Sequence, residues 1–285
     1  MFRKMCNLVR IQFSQEIHEK RVWAGYAFGF WMGLSIGVRY VSFSSGFPVG
    51  IFDPFILLTN QTFTVTLLMI GFLIIVADAP FIHAGTYYVL IRSGGAVWRY
   101  AMLSYIALQL LLYEALVIMG GVLPCLFSGN PISCTVWSET LQILTGAAPG
   151  IAVEQYHLPV ISVHVLQSFS VFPAVVNSLL LNMCYLGLLG IIMFLGNLNA
   201  RLPAGSLVIV GIHLTGMLVM SDFVPLFKPS LVAHAMFQYH LPRYGPLSIS
   251  ESYLVFGALF LCAFWVLHIL SRHIDYNVAV SQKTW

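Results

Sequence analysis

The side chains of this chain that could do chemistry stand inside long apolar segments. Glu114 lies in the stretch "QLLLYEALVIMGG", and His213 lies in a second apolar stretch. Because an ionisable group is costly inside a bilayer, each of the two is expected to have a specific role. Each could contact a substrate or carry a proton, or it could be a hydrogen-bonded group that ties helices together. Asn177 and Asn182, in a third apolar stretch, indicate hydrogen bonds between helices.

No motif in the sequence indicates an enzyme, a bound cofactor or a metal site. A P-loop, an HExxH sequence and a GxSxG sequence are all absent, so this chain is not expected to bind ATP itself. His234 and His240 are six residues apart and would point in different directions from one helix, which argues against a metal site. Cys125 and Cys134 fall in one predicted loop, where they form either a disulfide or two free thiols. No basic soluble segment indicates nucleic-acid binding.

The composition places most of these residues in lipid. The chain has 285 residues, of which 59% are hydrophobic and only 8% are charged. A soluble globular protein carries about 25% charged residues, because its surface must face water. The surface of this protein is therefore expected to face a bilayer over most of its area.

Six segments are long and apolar enough to be membrane-spanning helices, which need roughly 20 residues each. The sequence thus predicts an all-α, polytopic membrane protein. The fourth segment is too long for one straight span, and it is expected to begin with an interfacial piece around residues 157–164 and to be interrupted near Pro173. The predicted spans are 22–43, 61–80, 101–124, 164–196, 205–222 and 251–271.

The basic residues predict the orientation, because cytoplasmic loops carry an excess of Lys and Arg. With the N-terminus inside, only Arg39, Lys228 and Arg243 lie outside, and both termini are cytoplasmic. The outer loops are then 44–60, 125–163 and 223–250, and the inner loop is 81–100.

Residues 1–21 precede the transmembrane domain of residues 22–285. Their apolar residues recur every three or four positions, which predicts an amphipathic helix on the inner membrane surface, although a basic leader that only enforces the topology is an alternative. This apolar stripe contains Phe2, Met5, Val9, Phe13 and Ile17.

The first predicted span carries glycine at every fourth position. Gly25, Gly29, Gly33 and Gly37 would share nearly one face of a helix and leave a groove without side chains. Such grooves allow helices to approach closely in a membrane. We call these four residues the glycine seam, and it is expected to pack either within the chain or against a second copy.

Two connections between predicted spans have residue patterns that indicate short helices and not irregular loops. In residues 78–100, "TYYVLI" predicts a short helix, "SGG" a sharp turn, and "AVWRY" an aromatic anchor at the membrane boundary. Residues 223–250 are apolar and contain four prolines, so we expect short helices that are semi-buried in the outer leaflet.

These features together resemble the ABC-2 type permease subunits of bacterial ABC transporters. The resemblance rests on "DAPF…YYVLIRSG…W" at 78–98, on "KPSLVAHAM" at 228–236, and on the layout of the spans. It implies a coupling helix that docks on a separate P-loop ATPase subunit, which binds the ATP and Mg²⁺. It further implies a bacterial cytoplasmic-membrane location and a dimer with a second permease, for which the glycine seam is a suitable contact. The docking residues that it implies are Tyr87, Tyr88, Leu90, Arg92 and Trp98.

The expected function is therefore ATP-driven export of an amphipathic, lipid-like or peptide cargo. An ion-coupled secondary transporter that uses Glu114, with or without His213, is a second interpretation. A non-transporting assembly or immunity factor is a third.

Overall fold

The long helices of the structure lie over the predicted spans. This computed structural model describes residues 2–81, 86–198, 204–220, 228–242 and 245–270. The described residues form an all-α protein, as the sequence predicts, with one pair of two-residue strands. The longest helices are α1 (Phe2–Glu16), α2 (Lys20–Ser44), α4 (Thr62–Val76), α6 (Gly95–Phe127), α10 (Val171–Leu198), α11 (Ala204–Val219) and α13 (Ile249–Leu270). The shorter ones are α3 (Asp53–Thr59), α5 (Thr86–Ser93), α7 (Glu139–Gln142), α8 (Pro149–Glu154), α9 (Val163–Ser168) and α12 (Leu231–Ala235).

Three of the described helices are long and apolar enough to cross a bilayer by themselves, namely α6, α10 and α13. Helices α3 and α4 would qualify as one broken span, but they are bent by 89° at the break between them. Helix α11 is apolar and shorter, with 16 residues. These helices are those of a membrane-embedded protein.

The glycine seam packs within the chain, against α6 and α4. A Cβ on Gly33 would lie 2.1 Å from the carbonyl oxygen of Val117, and one on Gly29 would lie 2.4 Å from the Tyr113 ring. Gly25 meets Ile75 in the same way. Because α6 and α4 already occupy this face, it is not open to a second copy of the chain, in contrast to the dimer contact that the family resemblance implied.

The two strands and the short helices α3, α7 and α8 lie at the end of the bundle where α6 ends. Strand β1 (Val49–Gly50) pairs in parallel with β2 (Ile132–Ser133). The predicted loop at 44–60 contains the buried helix α3, and the predicted loop at 125–163 contains α7, a π-helical turn (Ile143–Ala147) and α8. The fourth predicted span is interrupted at residues 169–170, between α9 and α10, so that Pro173 falls in the first turn of α10 and not at the break.

The two loop cysteines do not form a disulfide. Cys125 is buried, and its Sγ lies 3.7 Å from the carbonyl oxygens of Gly50 and Gly121. Cys134 is exposed, and all five cysteines of the chain, which lie in its described parts, are free thiols. The disulfide alternative is therefore wrong for this structure, because the Cys125 side chain points into the packed interface below β1.

Candidate functional site

Helix α5 presents a small exposed face on the membrane protein. Tyr88 is 71% exposed and Arg92 is also exposed, whereas Leu90 is buried against the bundle. The helix ends at Ser93. Gly94 follows with a φ of +83°, which glycine adopts without strain, and α6 begins at the next residue. The predicted succession of short helix, turn and long helix is thus present.

Two of the predicted docking residues are not available to a partner. Trp98 is 2% exposed, and its ring centroid lies 6.1 Å from that of Phe194 on α10. Leu90 is likewise covered by the chain itself. Both are apolar side chains on faces that pack against the bundle, Leu90 on the short amphipathic helix α5 and Trp98 at the start of α6. The Tyr87 side chain lies outside the described part of the structure, so Tyr88 and Arg92 are the described candidates that a partner can reach.

The segment before α5 is fixed to several helices. We call residues 75–81 the α5 base. The side-chain amide of Asn197, near the end of α10, donates to the carbonyl of Ala79 over 2.9 Å, and its oxygen accepts from the backbone of Gly205 at the start of α11. Phe81 packs edge-on against Tyr105 of α6, with centroids 5.0 Å apart. The α5 base therefore contacts α6 and α10, and Asn197 extends this connection to α11.

An arginine joins the same base to the N-terminal helices. Arg21, at the start of α2, donates to the carbonyl of Ile75 over 2.6 Å, and its Nε lies 2.8 Å from Asp78 Oδ2. Its Nη2 forms an ion pair with Glu16, which is fully buried at the end of α1 and also accepts from Gln12. Arg21 thereby links α1, α2 and the α5 base.

The α5 base is thus linked to helices on both sides. Arg21 joins it to α1 and α2, and Asn197 joins it to α10 and α11. The sequence indicated the exposed helix but not these two links, because each joins residues far apart in the chain.

The interior of the bundle holds Glu114 in contact with Asn182. The Asn182 side-chain nitrogen donates to Glu114 Oε1 over 2.6 Å, and both residues are buried. Glu114 Oε2 and Asn182 Oδ1 have no hydrogen-bond partner. The bond joins α6 to α10, as expected for the helix-tying interpretation of Glu114 and for an interhelical role of Asn182.

Gln109 and Tyr113, which neighbour Glu114 in sequence, have other partners. The side-chain oxygen of Gln109 accepts from Tyr26 of α2, and Tyr113 donates to the carbonyl of Leu68 over 2.9 Å. Glu114 and Asn182 therefore meet without these two side chains.

His213 joins three helices. Its Nε2 lies 2.7 Å from Thr66 Oγ1 on α4, and its Nδ1 lies 2.6 Å from the Tyr185 hydroxyl on α10. On the same helix as Tyr185, Asn177 accepts from Tyr253 of α13 over 3.0 Å. Asn177, like Asn182, thus forms the hydrogen bond between helices that the sequence indicates.

The short helices after α11 bring His234 and His240 together on Ser252. Helix α12 ends before Met236, and a single 3₁₀ turn (Phe237–Tyr239) follows it. The expectation that the two histidines face different ways is therefore wrong, because it assumed one continuous helix. His234 Nδ1 and His240 Nε2 each lie 2.6 Å from Ser252 Oγ. Sequence reasoning missed Ser252, for which no local pattern exists.

The polar side chains of this region form hydrogen bonds that join helices to one another. No group of three or more His, Cys, Asp or Glu side chains that could hold a metal ion occurs in the described residues. Compared with known proteins, the chain matches no family model, and no curated protein or solved structure is significantly similar to it.

Proposed function

We propose that this chain is the membrane-spanning permease subunit of an ATP-driven transporter of the ABC-2 type. The observation that carries the proposal is the exposed face of α5, with Tyr88 and Arg92, above a base that is bonded to helices on both sides. An ATPase subunit that docks on this face would have a direct mechanical connection to the bundle. ATP and Mg²⁺ would be bound by that subunit.

The proposed topology has six crossings and both termini in the cytoplasm of a bacterial cell. It treats α3 with α4 as one broken span, and it counts α2 and α11 as crossings although they are less apolar or shorter than the other helices. In this orientation α5 lies on the inner face and α1 lies along the inner membrane surface. The excess of Lys and Arg in the loops assigned to the inside supports it.

The proposed direction is export, and the cargo is an amphipathic or lipid-like molecule or a hydrophobic peptide. The described helices expose apolar side chains over most of their length, and the buried charge within them is confined to a few residues. A route along such helices suits a cargo that is itself largely apolar. A second permease copy or a homologous permease would complete the transporter.

The test is to purify the tagged chain from its native membrane in mild detergent and to assay the complex for ATP hydrolysis. We expect a P-loop ATPase to co-purify, and we expect Tyr88→Ala with Arg92→Glu to remove it while the thermal unfolding of the chain is unchanged. The matched control changes an exposed aromatic and an exposed charge near the other end of α6, as Phe127→Ala with Glu154→Lys. This control should retain the ATPase. Purification of a lone chain, in a detergent that preserves such complexes, would refute the proposal.

A second candidate function is ion-coupled transport. It is favoured by one observation, the burial of the Glu114 carboxyl group with an oxygen that has no partner. The chain alone in liposomes would then move its cargo under a pH gradient, and Glu114→Gln would abolish this movement. A stable complex that has neither activity would instead indicate an assembly or immunity factor.

A further inference from the structure

A cluster of two histidines and one serine is buried where α12 meets α13. We call His234, Ser252 and His240 the His–Ser–His cluster, and each of the three residues is at most 2% exposed. Ser252 lies in the first turns of α13, and its hydroxyl oxygen is 2.6 Å from one nitrogen of each ring. Hydrogen bonds at this distance between buried groups must be supplied with protons, since two lone pairs would repel.

The outer nitrogen of each ring must be a donor. His234 Nε2 lies 2.8 Å from the carbonyl oxygen of Lys228, and a carbonyl can only accept. His240 Nδ1 lies 3.1 Å from the carbonyl of Met236 and 3.3 Å from that of Phe237. In a neutral imidazole only one nitrogen carries a proton, so the nitrogens that face Ser252 would then both be acceptors.

The cluster is therefore one proton short when both rings are neutral. The Ser252 hydroxyl can donate to one ring only, and the other ring nitrogen is left facing an oxygen lone pair. Changing the tautomer of either ring moves the same conflict to a backbone carbonyl. His213 provides a comparison, because a neutral ring there is satisfied: Thr66 can accept from one nitrogen while Tyr185 donates to the other.

We infer that the His–Ser–His cluster is a binding site for one proton, which is held as an imidazolium shared between the two rings. With the proton on His234, its Nδ1 donates to Ser252 Oγ, and the Ser252 hydroxyl donates to His240 Nε2. Every polar hydrogen in the cluster then has an acceptor. The site lies outside the membrane-spanning helices that carry Glu114 and His213, and it does not depend on an ATPase partner.

The His–Ser–His cluster has a low affinity for a second proton. Burial is the main cause that lowers the pKa of His240 to about 4. The positive charge of His234 acts in the same direction, and the carbonyls of Phe237 and Met236 oppose it. Two imidazolium rings would both donate to Ser252 Oγ, so the hydroxyl hydrogen would have no acceptor within the cluster, and two positive charges would lie close together in a buried site. The site therefore takes one proton and not two over the range from neutral to mildly acidic pH.

The charged groups around the cluster are compatible with one added positive charge. Glu251 precedes Ser252 in α13, and its negative charge raises the pKa of His240. The Lys228 ammonium lies 3.6 Å from Glu251 Oε1, so this cation is directed to the carboxylate and not to the rings. From the described parts of α10, α11 and α4 no charged side chain faces the cluster; its other ring contacts are Phe256, next to His234, and Phe237, stacked on His240.

Water has a route to the site. His240 lines an open cavity of about 780 Å³, together with Glu251 and Tyr253 of α13. The proton can therefore exchange with the aqueous phase at this end of the bundle. Since the cluster joins α12 and the 3₁₀ turn to α13, loss of the proton would weaken the attachment of these short helices to the bundle.

The test is a histidine titration of the full chain in detergent, with ¹⁵N-labelled imidazole rings observed by NMR. His234→Gln and His240→Gln identify the two resonances. We expect one ring of the pair to be an imidazolium at pH 7 and to lose its proton in a single step, with a midpoint above the ordinary histidine value of about 6.5. Two neutral rings at pH 7 in the wild-type chain would overturn the inference.

The serine supplies the matched variants. Ser252→Ala removes the bridging oxygen and should lower the midpoint by about one pH unit, which corresponds to the loss of one charge-assisted hydrogen bond. Ser250→Ala, on the exposed face two residues earlier, should leave it unchanged. Ser252→Thr keeps the hydroxyl and should retain the wild-type midpoint. An unchanged midpoint in a folded Ser252→Ala chain would contradict a shared proton.

Discussion

Glu114 and Asn182 are hydrogen-bonded to each other in the interior of the bundle, and each has one side-chain oxygen without a partner. A carboxylate could not satisfy both atoms, because neither oxygen carries a hydrogen. A protonated carboxyl group could, since its hydroxyl would donate to Asn182 Oδ1 while Oε1 accepts from the Asn182 nitrogen. The pair would then be a neutral, doubly hydrogen-bonded link between α6 and α10.

A glutamine at position 114 should therefore be tolerated. Glu114→Gln keeps a donor and an acceptor for Asn182 in a neutral side chain, so we expect the free energy of unfolding to stay within about 0.5 kcal/mol of wild type. Glu114→Ala leaves Asn182 buried without a partner and also creates a cavity, at a cost of about 3 kcal/mol. Chemical unfolding of the detergent-solubilised chain measures both.

The control is a double-mutant cycle with Asn182→Ala, which should show that the effects of Glu114→Ala and Asn182→Ala are not additive. Equal destabilisation by Gln and Ala at position 114 would mean that the ionised carboxylate is needed. That outcome would favour the ion-coupled interpretation of this residue over the structural one.

Among the described helices, α2 and α6 share the most extensive contact, and their packing has glycine on both sides. A Cβ on Gly33 would meet the Val117 carbonyl at 2.1 Å, and one on Gly120 would meet the Phe30 carbonyl at 2.3 Å. Both contacts are with backbone atoms, which cannot rotate away as a side chain can. The two backbones therefore approach closely only while these positions lack side chains.

Gly33→Ala should destabilise the chain by about 3 kcal/mol, because the helices must separate to admit the methyl group. Gly257→Ala is the matched control, since a Cβ on this residue of α13 meets nothing within 4 Å. It should leave stability unchanged or raise it by up to about 1 kcal/mol. The measurement is thermal unfolding of the two variants in the same detergent. Similar unfolding temperatures for both would show that α2 and α6 can separate to admit a methyl group at little cost.

The long helices were largely predictable from the sequence, but the positions at which helices bend or are interrupted were not. Long apolar runs and the four-residue glycine period indicate the helices α2, α6 and α10 because these patterns are local. Asn60 lies at the bend after α3, and its side-chain oxygen accepts from the backbone of Gln238 over 2.7 Å. No window of sequence contains both residues, so the bend could not be inferred.

The same reason limited the prediction of the candidate site. Its exposed helix α5 was recognisable from "TYYVLI" and the glycines after it, whereas the inward orientation of Trp98 follows from Phe194 on a distant helix. Glu114 and Asn182 were each singled out as polar groups in apolar runs, but nothing in either run pairs them. The sequence thus identified the polar residues of interest, but only the folded structure shows which of them are hydrogen-bonded to each other.

At the scale of the whole molecule, Arg21 connects the N-terminal helix to the segment that carries α5. The Glu16 side chain is fully buried, and the guanidinium of Arg21 provides its counter-charge while it also holds Asp78 and the Ile75 carbonyl. A buried ion pair contributes little net stability, but the loss of one member leaves a charge in an apolar environment. The link is therefore sensitive to the removal of either partner alone.

Arg21→Met should release α1 and the α5 base together. We expect the chain to lose about 3 kcal/mol of stability, and we expect hydrogen exchange to rise in residues 2–16 and 75–81 while α10 and α13 keep their protection. Arg21→Met combined with Glu16→Gln removes both charges and should recover part of the loss, which makes the double variant the control for the ion pair. If exchange rises in α1 alone, the arginine does not transmit movement to the α5 base, and the mechanical path from α5 would be confined to Asn197 and Tyr105.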